Sequence, residues 1–268
     1  MDEGWHPILS CAEAKTLEAA LLRSPEEEWA AMQQVGGAIA CAILGDLREI
    51  GGIQSRARVL VLVGNGHNGG DAVIATRAIL EAYPGATADV VLAFGEAALR
   101  PLARRALQET RERVGARLRE LDARATNELF GKCYEICLDG VFGFQFRPPI
   151  DEATAKLIAH VNSHPNIRLR AAVDLPSGLG EQGAGTMFRA DFTYATGIVK
   201  TPLLRDDAAS YVGRVRYLDL GFFAPNRPSA REHFTAPRAG VLRPCLLQPI
   251  SRLRPTQSDK RTYGHLFV

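Results

Sequence analysis

Val59-Leu60-Val61-Leu62-Val63-Gly64-Asn65-Gly66-His67-Asn68-Gly69-Gly70-Asp71-Ala72 is an unbroken apolar run that stops at a glycine-dense stretch. A strand with no polar alternation is covered on both faces, which is the condition of a central parallel strand. From Asp71 to Tyr83 helical periodicity resumes, so the stretch reads as strand, loop, helix. The pattern then repeats. Asp89 to Phe94, Tyr134 to Leu138, Leu169 to Val173, Phe192 to Tyr194 and Val212 to Leu220 read as strands, and Glu96 to Val114 and Asp151 to Asn162 as helices. Upstream, Ser10 to Leu44 reads as two opening helices, the second announced by an N-cap, a first-turn proline and acids in Ser24-Pro25-Glu26-Glu27. The expected fold is α/β, a three-layer, doubly wound and mostly parallel sheet with N-terminal helices.

Composition narrows the class of function. The chain has 268 residues, 46% of them hydrophobic, and a net charge of +2, so neither nucleic acid nor an anionic membrane is an expected partner. The N-terminus carries no secretory pattern and no apolar run reaches membrane-spanning length, so the expected address is the cytoplasm. The five cysteines form no C-x-x-C pair, and Cys133 and Cys137 are expected to be buried, inert thiols.

In a doubly wound sheet ligands sit beyond the carboxyl ends of the strands. Three loops there are unusual: Gly64 to Asp71, Asp139 to Pro149, and Asp174 to Gly178. The first matches G-x-G-x-x-G, but Asp89 begins the second strand instead of ending it, which disfavours an ordinary nicotinamide dehydrogenase; the Lys-Ser/Thr pair of a P-loop is missing. Asn68 and Asp71 offer hard oxygen donors, or else Asn68 supports a turn and Asp71 caps the helix. Asp139 and Asp174 each read singly as turn acids; joined by Asn68 and Ser177 they form an oxygen-lined site fit for a monovalent or divalent cation.

Taken in order, Gly64 to Asp71, Asp139 with Phe142-Gly143, Asp174-Leu175-Pro176-Ser177-Gly178 and Thr196-Gly197-Ile198-Val199-Lys200 resemble the successive motifs of the YjeF N-terminal family, the NAD(P)H-hydrate epimerases. Met32-Gln33-Gln34-Val35-Gly36-Gly37 is similar to that family's Met-Glu-x-Ala-Gly element, and the likeness runs from about Ile8 to Gly221. The resemblance implies a Rossmann-like fold and interconversion of the R and S forms of hydrated NADH and NADPH at C6. It also implies a potassium ion on Asn68, Asp139 and Ser177. The dinucleotide would be bound by His67, Asn68, Gly69, Gly70 and Asp71, by Gly143, Phe144, Gln145, Phe146, Arg147, Pro148 and Pro149, and by Asp174. Lys200 is added as a phosphate contact, with a solvated lysine as the alternative. Members of the family often pair, so a homodimer is a further expectation. This chain departs from the pattern at His67, where Asn is usual, at Ala72, where Gly is usual, and at Phe144-Gln145-Phe146, which replaces the Thr-Gly-Leu of bacterial members. His67 is read as an exposed loop residue and not as catalytic.

Asp174 is the expected general acid/base, and its replacement by Asn is expected to abolish turnover while largely sparing the fold. Residues 1–223 are expected to form the epimerase domain. From Pro225 the chain is proline-rich and irregular, and Leu253 to His265 resembles the start of an ADP- or ATP-dependent NAD(P)H-hydrate dehydratase domain, so 224–268 is read as a linker and the truncated start of that linked domain. A chance match in a disordered tail is the alternative. Two rival functions stay open: a non-catalytic binding or scaffold module of the same fold, and a redox enzyme using intact cofactor.

Overall fold

The computed structural model describes residues 4–121, 129, 131–181, 185–224, 239–246 and 257. Seven parallel strands form the main sheet: β2 (Arg58–Val63), β3 (Thr87–Leu92), β4 (Leu118–Leu121), β5 (Ile136–Gly140), β6 (Arg170–Val173), β7 (Phe192–Thr196) and β9 (Arg214–Leu218). Their order is β4-β3-β2-β5-β6-β7-β9. The chain therefore winds outward from β2 in one direction, returns to its other side at β5, and winds outward the other way. The order reverses between β2 and β5, where a doubly wound sheet opens its ligand crevice.

The unbroken apolar strand is explained by two cores. Val59, Val61 and Val63 face one side, against α1 (Cys11–Leu21), α2 (Pro25–Glu49), α3 (His67–Ala82) and α4 (Pro101–Val114). Leu60 and Leu62 face the other, against Leu157, Ile158 and Val161 of α5 (Glu152–Ser163). Alternation persists, but both faces are apolar.

The opening helices start as their caps dictate. Ser10 and Glu13 form a reciprocal capping box on α1, and Ser24 caps α2 with Pro25 in its first turn. Gly36 allows α2 to lie close on α3, since a Cβ there would stand 2.4 Å from Ile74 Cγ2.

Several expectations need correction. α3 begins at His67, so the loop after β2 is only Gly64 to Gly66, and Gly66, not Asp71, is the N-cap residue. The long basic helix is split into a short 3-10 turn at Glu96–Ala98 and α4. β1 (Trp5–Leu9) precedes the first helix; it pairs in parallel with β8 (Val199–Lys200) and antiparallel with β10 (Gly240–Leu242), a strand in the stretch read as irregular. Leu253 to His265 lies outside the described residues apart from Gln257. α2 is long and apolar enough by composition to cross a membrane, contrary to expectation, with a mean hydropathy of 1.2 over its most apolar window. Its buried face, Met32, Val35, Ile39, Ile43 and Leu47, belongs to the sheet-covering core. Cys137 is buried in β5 as expected, whereas Cys133 is exposed.

Candidate active site

The crevice at the strand reversal is a cavity of about 970 Å³, at the upper end of the range for small-molecule sites. Its walls come from the start of α3, the loop Val141 to Pro148, Asp174 after β6, and a stripe along α1.

Three glycines of the stretch from Gly64 to Asp71 are there for packing. A Cβ on Gly64 would stand 1.8 Å from the Val141 carbonyl oxygen, one on Gly69 2.3 Å from that of Gly64, and one on Gly70 2.6 Å from Met32 Sδ. Gly69 and Gly70 are buried behind the residues that line the cavity, and they set the seat of α3 against the end of β2 and against α2. Asn68, Asp71 and the exposed His67 do line it; His67 Nε2 lies 3.5 Å from Glu28 at the mouth. In the second loop Gly143 to Pro148 face the cavity and Pro149 does not.

Asp139 is fully buried near the end of β5. Its Oδ1 accepts the Ser177 hydroxyl at 2.6 Å and the Val141 amide at 3.3 Å, while Oδ2 accepts the Ser177 amide at 2.7 Å. The Ser177 oxygen in turn accepts the Phe142 amide at 2.8 Å, and Asn68 donates its side-chain amide to the Phe142 carbonyl at 2.9 Å. Phe142 thus joins Asn68 to Ser177, and Ser177 carries the link on to Asp139, so the three residues expected at a cation form one network. Desolvation pushes the Asp139 carboxyl up to about 6, against the pull of the Ser177 and Val141 hydrogen bonds. These hydrogen-bond partners are all neutral. A buried carboxylate with neutral partners, an amide and a hydroxyl is a hard-oxygen donor set that fits a weakly demanding monovalent cation.

Asp174 sits one strand over, in a different environment. Its backbone has φ 65°, and the Leu175 amide bonds to the Val173 carbonyl at 2.8 Å across it, a tight turn with Asp174 at its apex. Such a conformation costs about 1–3 kcal/mol and is tolerated best by Asp and Asn among side-chain-bearing residues. The turn lifts the carboxylate into the cavity. Its Oδ1 takes the Lys200 ammonium at 2.6 Å, the Thr196 hydroxyl at 3.1 Å and the Thr196 amide at 3.3 Å. All these contacts fall on Oδ1. Lys200, expected as a phosphate contact or a solvated side chain, is neither: it is fully buried behind Asp174, held by that carboxylate and lying 5.0 Å from the Phe144 ring centroid.

The family model for the YjeF-related protein N-terminus matches residues 30–202. The chain belongs to that family. It is 36% identical over 219 residues to the bifunctional NAD(P)H-hydrate repair enzyme Nnr of Gloeobacter violaceus, across 80% of this chain and 40% of that one. To the bifunctional NAD(P)H-hydrate repair enzyme of Leishmania major it is 29% identical, across 81% of this chain and 37% of the other. It thus spans about 40% of the length of these curated relatives. The crystal structure of yeast ynu0 has the same fold, with a TM-score of 0.62 at 18% identity over 79% of this chain and 87% of that one.

Within the family's frame, α1 contributes residues that the sequence reading did not single out. Cys11, Lys15, Glu18 and Leu22 line the cavity at helical spacing, while Ala14, Leu17 and Leu21 face the core. Glu18 Oε1 stands 3.9 Å from Lys200 Nζ, its side chain 26% exposed. Desolvation and the nearby Asp174 push Glu18 up to about 7, with Lys200 acting in the opposite direction. Asp71 is raised well above the usual carboxylate range by desolvation, then by Asp174 and Glu18. The signal was present in the i, i+4, i+7 placement of polar residues on a helix whose other face is apolar.

Proposed function

We propose that this chain is an NAD(P)H-hydrate epimerase, an isomerase that interconverts the two C6 epimers of hydrated NADH and NADPH. The observation that carries the reading is a cluster of acids around one buried lysine, at the inner wall of a dinucleotide-sized crevice, in a chain of this family. The names of the relatives support the substrate class.

The substrate is a carbinolamine: C6 of the nicotinamide ring bears a hydroxyl beside N1. When the N1 lone pair helps expel the hydroxyl, C6 becomes flat, and water can return to either face. The enzyme must supply a proton to the leaving oxygen and remove one from incoming water. Asp174 suits the base role. Lys200 and Thr196 hold Oδ1, which leaves Oδ2 for the cavity. Phe142, Phe144 and Phe146 give the crevice apolar walls for a ring, and the exposed Arg100 and Arg147 at its margin suit phosphates.

Potassium is part of the proposal, held by Asn68, Asp139 and Ser177, where it would supply a fixed positive charge joining the loops after β5 and β6 to the start of α3. Pairing of like chains and a linked dehydratase domain are proposed on the same family grounds.

The test is chiral chromatography of one purified NADPH-hydrate epimer incubated with the protein, with and without potassium. Conversion faster than the uncatalysed rate is expected. A folded, potassium-loaded protein that gives no acceleration overturns the reading in favour of a binding module.

A further inference from the structure

Lys200 stands between two carboxylates that come from different parts of the chain. Asp174, on the turn after β6, is 2.6 Å from its ammonium, and Glu18, on α1, is 3.9 Å away. The register of the small sheet explains the meeting: Leu9 of β1 pairs with Lys200 of β8, and α1 begins two residues later, so its polar stripe passes over the lysine. We propose that Glu18 is the second proton-transfer residue of the epimerisation, acting as the acid that protonates the departing C6 hydroxyl while Asp174 takes the proton of the returning water. The proposal rests on the reading of function above.

Three carboxylates, Glu18, Asp71 and Asp174, crowd one buried ammonium, and the remaining cation on the α1 stripe, Lys15, is exposed. Three negative charges cannot be sustained beside a single buried positive one, so the cluster keeps a proton at neutral pH. Asp174 is hydrogen-bonded to the lysine through Oδ1. Asp71 is raised as well, by desolvation first and then by Asp174 and Glu18. Glu18, pushed up to about 7, is poised to give and regain the proton.

The chemistry balances. Glu18 donates its proton to the C6 hydroxyl; the C6–O bond breaks, water leaves with the bonding pair, and the N1 lone pair forms the N1=C6 bond. Water then adds to C6 from the other face, the N1=C6 pair returns to N1, and Asp174 takes the surplus proton. Both acids line the cavity, so once the product has left Asp174 returns its proton to water and Glu18 regains one from it.

The experiment compares wild type, Glu18→Gln and Glu18→Asp on one NADPH-hydrate epimer at saturating potassium, across pH. Glu18→Gln should lose about 100-fold or more in kcat, with KM changed by less than about threefold. Wild-type kcat should decline as pH rises through about 7, because the donor is the protonated form; Glu18→Gln should lose that limb and Glu18→Asp should keep it. An active wild type with Glu18→Gln inside about threefold of its kcat, or with the limb unchanged, overturns the role of Glu18 alone. A wild type without acceleration overturns the functional reading and this proposal with it.

Discussion

Asp139 and Asp174 occupy nearly equivalent places in the chain, each at the carboxyl end of one of two neighbouring parallel strands, yet their surroundings differ in kind. Asp139 is sealed behind neutral amides and a hydroxyl. Asp174 is lifted by a strained turn into the crevice and backed by a buried ammonium. A carboxylate held by neutral donors binds loops together and welcomes a cation. One with an oxygen pinned by lysine and the other directed at a ligand can accept a proton. The difference teaches that position in the fold selects the neighbourhood of a site, while the partner groups select its chemistry.

The largest effect should come from Asp174→Asn. Its kcat should fall by about 1,000-fold, measured on a single NADPH-hydrate epimer. The expectation that the fold would be spared is revised by Lys200: Asn leaves a fully buried ammonium with only the more distant Glu18 carboxylate, 3.9 Å away, at a cost of about 3 kcal/mol in denaturant unfolding. Adding Lys200→Met should restore most of that stability and none of the rate, which separates the structural share of the pair from its chemical share. Asp139→Asn should act differently. The rise in melting temperature with potassium should disappear, and the variant should still turn over at high substrate concentration. The smallest effect belongs to Ser177→Ala, which removes one hydrogen bond to the buried carboxylate and should lower stability by about 2 kcal/mol, read from the urea midpoint.

Much of the fold was legible because β2, β3, β5 and β6 are largely apolar and buried on both faces, and because α1, α2 and α5 begin at recognisable side-chain caps. The elements that escaped were short or mixed. β1 holds the proline-containing Trp5-His6-Pro7-Ile8-Leu9, β8 has two residues, and β4 reads Leu-Arg-Glu-Leu with an exposed middle. They are strands because of their neighbours, a context no local pattern carries. The site followed the same division. The acids at strand ends stood out by motif, whereas the burial of Lys200 depends on β1 crossing to β8, and Glu18 enters the site only through that crossing. Gly69 and Gly70 carry a second meaning that no motif shows: their missing side chains make room for the Gly64 backbone and for Met32.

The division of labour between the two acids is tested most directly by following one NADPH-hydrate epimer with wild type, Asp139→Asn and Asp174→Asn side by side, at saturating potassium and rising substrate. Asp174→Asn should stay about 1,000-fold below wild type at every concentration while Asp139→Asn climbs toward wild-type turnover. Turnover retained in Asp174→Asn, with Asp139→Asn inert at saturation, would contradict that division.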